Sequence, residues 1–150
     1  MTGISTNLKV VPDASIILKW VLPWENEPYS RQAHALSQAF YDNEIDLILP
    51  SLWVYEVGNV LTIKYPEVAR VLLAHLTNLD IPVVQPSVRL IELTTKLVSR
   101  HAVTFYDASY HALAVTSDAL FVTADEKYLR KVPGDTCCLH IRDWKHRPPV

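Results

Sequence analysis

Short apolar runs alternate with longer stretches of helical period along this chain, and that alternation constrains the fold most. Leu8-Lys9-Val10-Val11 reads as a first strand ending at Pro12-Asp13. Residues 14–21 follow as a short helix stopped by Pro23, and residues 28–43 as a second helix begun by Pro28. Residues 46–49 read as another strand, closed by Pro50-Ser51. Ser51 is the expected N-cap of a helix through Lys64, and Pro66 the expected first residue of a helix ending near Leu79. Residues 81–84 form a strand, Ser87 caps a helix to Arg100, and 106–117 is a further helix. A strand over 119–122, a short helix over 125–131 and a last strand over 138–141 complete the pattern. Strand runs that are apolar on both faces and separated by helices predict an α/β fold, a three-layer α/β/α sandwich with a central, mostly parallel sheet. Such sheets bind ligands beyond the carboxyl ends of their strands, near a topological switch point. Polar residues just after strands therefore matter most, and Asp13 and Asp125 stand there.

The chain's 150 residues fit a single domain over 1–150, with 1–7 expected as a flexible leader and 143–150 as a tail. A hydrophobic content of 49% with only three glycines excludes a disordered or low-complexity chain. The longest apolar run is broken by Lys19 and Pro23, so no membrane span is expected. The N-terminus lacks the apolar core of a secretion signal. Cys137 and Cys138 are adjacent, cannot staple distant segments and lack the spacing of a zinc site; they read as small apolar strand residues. Together these features favour a reducing, cytoplasmic setting. A net charge of −2 argues against a broad basic surface for nucleic acid, though not against a local site.

Four acids stand out. Asp13 is placed either to cap a helix or to ligate a metal at a strand tip. Glu56 lies on a helix among Leu52, Trp53 and Val60, with no basic residue three or four positions away. A carboxylate in such apolar company is unfavourable unless it is paired or coordinated. Asn59, on the same face, is a candidate to orient it by a hydrogen bond. Asp107 opens a helix that is apolar nearly all round, and Thr104-x-x-Asp107 approximates a capping box. Thr123-x-x-Glu126 reads as a second capping box, with Asp125 in the first turn. Carboxylates brought together need cations to stay ionised, and their hard oxygens suit Mg²⁺ or Mn²⁺. Such ions promote phosphodiester hydrolysis. No glycine-rich phosphate loop or serine-nucleophile motif competes, since the only glycines are Gly3, Gly58 and Gly134. His111, one turn after Asp107, is either near the site or a packing residue.

The stretches Val11-Pro12-Asp13-Ala14-Ser15, Tyr55-Glu56-Val57-Gly58-Asn59-Val60-Leu61, Tyr106-Asp107-Ala108-Ser109-Tyr110-His111-Ala112-Leu113-Ala114 and Phe121-Val122-Thr123-Ala124-Asp125-Glu126-Lys127 resemble the four signature segments of PIN domains, and most of all those of VapC-like toxins. They fall in the family's order across nearly the whole chain. The resemblance implies a Mg²⁺- or Mn²⁺-dependent endoribonuclease, the toxin of a toxin–antitoxin pair. It implies an RNA substrate, a cognate antitoxin protein and a homodimer. It places Asp13, Glu56, Asp107 and Asp125 as catalytic, metal-ligating acids, with Thr123 and Asn59 supporting them.

Lys127, Arg130 and Lys131 on the short helix after Asp125, and Lys19 on the helix after Asp13, are candidate RNA contacts. The basic tail from Arg142 to Arg147 and Trp24 are further candidate contact residues. The apolar helices over 28–43 and 66–79 are candidate dimer surfaces, and a groove near the acids is a candidate seat for an antitoxin helix. Three other readings remain open on the residues: a non-catalytic binding module on the same fold, a phosphoryl-transfer or receiver domain, and a DNA-directed nuclease. The receiver reading lacks an acid beside Asp13 and a lysine after the last strand. The DNA reading shares the same metal chemistry, and 2′-hydroxyl recognition would separate it from RNA cleavage.

Overall fold

The computed structural model describes residues 4–145. Its centre is a four-stranded parallel sheet of β1 (Leu8–Pro12), β2 (Ile45–Leu47), β5 (Leu120–Thr123) and β6 (Cys138–His140), in the order β2-β1-β5-β6. A separate parallel pair joins β3 (Leu49–Pro50) to β4 (Val83–Val84). The helices are α1 (Ala14–Lys19), α2 (Ser30–Tyr41), α3 (Trp53–Lys64), α4 (Ala69–Thr77), α5 (Val88–His101), α6 (Phe105–Thr116) and α7 (Glu126–Lys131). Single 3-10 turns lie at Trp24–Asn26 and Ile141–Asp143.

Strand alternation explains the three layers. Successive side chains on a strand face opposite ways. Val11 pairs with Phe121 across β1 and β5, and both enter one core with Trp53, Val57 and Leu61 of α3 and Ala108, Tyr110, Ala112, Leu113 and Ala114 of α6. Val10 and Val122 enter the other core with Ala33, Leu36 and Ala39 of α2 and Ile141. All four strand side chains are fully or almost fully buried, and each such burial contributes roughly 1.5–3 kcal/mol. Every residue of α6 from Ala108 to Ala114 is buried, as its apolar sequence requires.

The expected strand over 46–49 is divided. Ile48 N–H still bonds Val10 O at 3.1 Å, but Leu49 N–H bonds Pro82 O at 3.0 Å. The chain thus leaves β1 for β4 at this point, and Pro50, with no N–H, ends the second piece. Ser51 does not cap α3; its N–H bonds Val84 O at 3.1 Å, and Leu52 takes the cap position without a side-chain bond. Nor does Pro66 open α4, which starts at Ala69 after a turn closed by Val68 N–H on Tyr65 O at 3.2 Å. Ser87 does cap α5, accepting from Leu90 N–H at 3.1 Å.

The ends of the domain are held to its body. The Asn7 side chain donates to Asn43 O at 2.8 Å, anchoring the part of the expected leader that is described. Asp143 belongs to the final 3-10 turn, and Trp144 packs against the second core. Residues 1–3 of the leader expected over 1–7, residues 146–150 of the tail expected over 143–150, and the end of the candidate contact stretch Arg142–Arg147 lie outside the described residues. No helix among the described residues is long and apolar enough to cross a membrane.

Candidate active site

β1 lies between β2 and β5, so the chain passes from β1 to opposite sides of the sheet, and the carboxyl ends of β1 and β5 meet at a switch point. Asp13 emerges there from β1. Its N–H continues the ladder to Val122 O at 3.2 Å, and its backbone starts α1. Its side chain makes no cap bond. Instead Thr123 Oγ1 donates to Asp13 Oδ2 at 2.5 Å and Ser15 Oγ to Asp13 Oδ1 at 2.5 Å. Ser15 Oγ in turn accepts from Ala124 N–H at 3.0 Å, and Thr123 Oγ1 from Asp125 N–H at 2.9 Å. Two hydroxyls thus lock the turn after β5 onto the turn after β1.

The other acids arrive from separate elements. Glu56 sits one turn into α3, half-buried, and its Oε2 is a buried atom with no hydrogen-bond partner. Asp107 lies in the first turn of α6, where its N–H bonds the capping Thr104 Oγ1 at 3.1 Å. Asp125 is itself the N-cap of α7, accepting from Tyr128 N–H at 3.0 Å. The expected Thr123–Glu126 capping box is therefore absent: Thr123 is turned to Asp13, and Glu126 is paired with Arg142.

Mutual electrostatics tie the four together. Burial pushes the Asp13 carboxyl up to about 6, further raised by Asp107 and opposed by the bonds from Ser15 and Thr123. Burial pushes Glu56 up to about 7, with Asp107 and Asp13 adding to the rise. Asp107 is raised first by burial and also by Asp125, while Lys131 opposes the rise. The oxygens are nonetheless not drawn into one tight group. Among the described residues, the one set of three or more His, Cys, Asp or Glu donors lying within 4.8 Å of one another is elsewhere, at His111, Asp135, Cys137 and Cys138. An orphaned buried carboxylate oxygen beside three further hard oxygen donors fits a Mg²⁺- or Mn²⁺-class cation.

Glu56 and Asp107 share a cleft of about 550 Å³ with Asn59, Tyr55, Thr104 and Tyr106. Asn59 is exposed at its edge and makes no bond to Glu56, whose free oxygen stays unpartnered. Two residues escaped the reading of the sequence. Ser15 had its signal in the Asp13-x-Ser15 spacing. Tyr110 had none beyond its place one turn from Asp107: its hydroxyl is buried without a partner, and its ionisation is opposed by burial and by the charges of Glu56, Asp13 and Asp107.

The candidate contact residues divide. Lys19 is buried, with its ammonium 2.7 Å from Glu27 Oε2, and so stands out of a phosphate's reach. Lys127 and Arg130 are exposed on α7. Lys131 is also exposed, donating to Ala102 O at 3.1 Å and acting on Asp107. Trp24 is exposed and stacked on His34 at 4.9 Å. His111 does not join the acids; its ring nitrogens lie 2.7 Å from Tyr128 Oη and 2.7 Å from Asp135 Oδ2.

A parallel α/β/α domain with carboxylates that influence one another near its switch point is the class this geometry defines. A family model for the PIN domain matches residues 10–135, and the chain belongs to the PIN-domain family, whose members are generally nucleases. No curated protein sequence matches it. Among solved structures, it is similar to PAE2754 of Pyrobaculum aerophilum at 21% identity, with a TM-score of 0.64 over 91% of this chain and 93% of that one. FitAcB from Neisseria gonorrhoeae is similar at 13% identity, with a TM-score of 0.66 over 90% and 99%. VapC20 of Mycobacterium tuberculosis, a sarcin-ricin-loop-cleaving toxin, is similar at 14% identity, with a TM-score of 0.62 over 81% and 93%.

Proposed function

We propose that this chain is a metal-dependent endoribonuclease, the toxin of a toxin–antitoxin pair. The observation that supports the reading is the mutual electrostatic influence of Asp13, Glu56, Asp107 and Asp125, which come from four places in the fold, with Glu56 Oε2 buried and unpartnered. The four carboxylates would hold Mg²⁺ or Mn²⁺. When bound, such an ion supplies Lewis acidity and charge neutralisation toward a phosphodiester. The chain's own residues do the rest. Thr123 and Ser15 fix both oxygens of Asp13. Asp125 is held by its cap bond to Tyr128. Lys131 offers positive charge to the phosphate backbone beside Asp107, with Lys127 and Arg130 further along the same helix.

An antitoxin partner and a homodimer belong to this reading. Similarity to a toxin–antitoxin complex from Klebsiella pneumoniae, at 17% identity and a TM-score of 0.63, supports an antitoxin partner. An apolar groove of about 410 Å³ adjoins the acid cleft at Tyr106, with Phe105, Ile91 and Leu52 in its walls, and would seat an amphipathic helix. Exposed apolar residues on α4, Val71 among them, offer a surface for a second copy.

The test is cleavage of a structured RNA pool and matched DNA with Mn²⁺ or EDTA, by wild type, Asp13→Asn and Glu56→Gln. Cleavage of RNA that requires the metal and disappears in both folded variants supports the reading. Absence of cleavage, or cleavage indifferent to the substitutions, would favour the non-catalytic binding module; cleavage of DNA alone would favour the DNA-directed enzyme.

A further inference from the structure

One turn along α6 from Asp107, around His111, four side chains with metal-ligating atoms converge. His111 is fully buried on α6. Asp135 and Cys137 come from the loop between α7 and β6, and Cys138 opens β6; all three are half-exposed, and the four donor atoms all lie within 4.8 Å of one another. Gly134, at φ +79°, takes the left-handed conformation that turns this loop back toward α6. His111 Nε2 lies 2.7 Å from Asp135 Oδ2 and 3.4 Å from Cys138 Sγ, and Cys137 Sγ lies 3.2 Å from Asp135 Oδ1. The other ring nitrogen, Nδ1, is 2.7 Å from Tyr128 Oη.

We infer that His111 Nε2, Asp135, Cys137 Sγ and Cys138 Sγ form a second metal site, selective for a thiophilic ion of the Zn²⁺ class and independent of the acid cluster. The donor set is the argument. Two sulfurs, one imidazole and one carboxylate suit zinc in tetrahedral coordination and are a poor match for Mg²⁺. With bonds of the usual length, a tetrahedral site separates its sulfur and nitrogen donors by about 3.5 Å, and the observed separation of 3.4 Å already meets this. The carboxylate oxygen, 2.7 Å from Nε2, would move outward by a little over half an ångström, to the roughly 3.3 Å that N and O ligands adopt at a tetrahedral zinc. Tyr128 supplies what a ligating histidine needs at its other nitrogen: an acceptor for Nδ1–H that fixes the tautomer with Nε2 free to coordinate. The half-exposed loop gives the ion a way in, and each thiol releases its proton to solvent on binding. Adjacent cysteines carried no zinc signal in the sequence because the remaining nitrogen ligand comes from a helix 26 and 27 residues away.

The test is titration of reduced, metal-stripped full-length protein with Co²⁺. The expected result is saturation at one equivalent, with tetrahedral ligand-field bands and thiolate-to-cobalt charge transfer, both displaced by Zn²⁺. Asp13→Asn, Glu56→Gln should keep these bands, and Cys137→Ser, Cys138→Ser should lose them with an unchanged circular-dichroism spectrum. Tyr128→Phe should weaken binding about tenfold. A second reading needs no variant: Zn²⁺ should slow alkylation of both cysteines of the wild type at least tenfold, and EDTA should reverse the protection. Absence of a charge-transfer band, its survival in the double cysteine variant, alkylation unaffected by Zn²⁺, or a disulfide between the two cysteines in place of metal uptake would each overturn the proposal. None of these outcomes bears on cleavage by the acid cluster.

Discussion

Thr123 and Asp13 are 110 residues apart in sequence, yet the Thr123 hydroxyl donates to the Asp13 carboxylate at 2.5 Å, both side chains buried where β1 and β5 end. The same oxygen accepts from Asp125 N–H. Thr123→Val keeps the shape and removes both interactions. It should destabilise the fold by about 1–3 kcal/mol, since a buried donor and a buried acceptor lose their partner. It should also weaken Mn²⁺ binding by about 10–100-fold, as loss of an orienting partner does. Thermal unfolding and Mn²⁺ titration of the variant check the two effects separately.

Stability of the metal-free protein should fall as pH rises from about 4 to about 7. Asp13 and Glu56 have folded-state values of about 6 and about 7 against ordinary values of 3.8 and 4.5. Between those limits the folded state binds more protons than the unfolded one, so each unit of pH favours unfolding. For buried Asp13 alone the loss is on the order of 3 kcal/mol. A divalent cation should reverse the trend, stabilising more at pH 8 than at pH 5. Melting curves in EDTA and in Mn²⁺ at the two pH values measure this, and a flat or rising EDTA profile would contradict it.

Glu56→Gln should raise the melting temperature of the metal-free protein by a few degrees, corresponding to about 1 kcal/mol. It removes a half-buried charge repelled by Asp107 and Asp13. The same change should abolish most of the stabilisation conferred by Mn²⁺. Ordinary surface substitutions move stability by less and leave metal dependence intact.

Lys19→Met should lower stability without lowering the specific activity of the folded protein. Its ammonium is buried 2.7 Å from Glu27 Oε2, and breaking such a pair leaves the carboxylate without its partner. Lys131→Ala should do the reverse, weakening RNA binding with little effect on melting, since its ammonium is exposed and near Asp107. Binding isotherms at several salt concentrations, read beside the melts, distinguish the two lysines.

Ala102→Gly should stabilise the domain by about 0.5–1 kcal/mol. Ala102 ends α5 at φ 53°, in the left-handed region where a Cβ is strained. A chemical denaturation curve detects the shift.

Much of the fold was legible because hydrophobic alternation reports burial on both sheet faces, as Val10 and Val11 show. Proline and serine positions were less dependable. Ser87 capped as expected, whereas Ser51 gives its N–H to β4, a tertiary pairing that outweighs the local preference, and Pro66 falls in the local turn that Val68 N–H closes on Tyr65 O. Among the acids, Glu56 announced itself by the absence of any local partner. What sequence could not convey was the use of long-range bonds: Thr123 turning to Asp13 rather than capping α7, Lys19 folding back onto Glu27, and His111 reaching a loop beyond α7. Each depends on a contact between elements that no local pattern encodes.

The position of β1 in mid-sheet also has a bearing on when the domain matures during synthesis. Its partner on one side, β2, is made within the first third of the chain, but β5 follows only after residue 119. A nascent chain that has released Asp13 and Glu56 still lacks Asp107, Thr123 and Asp125. Thr123, which orients one oxygen of Asp13, emerges 110 residues after it, so the proposed centre is complete only once β5 and the turn after it have been made.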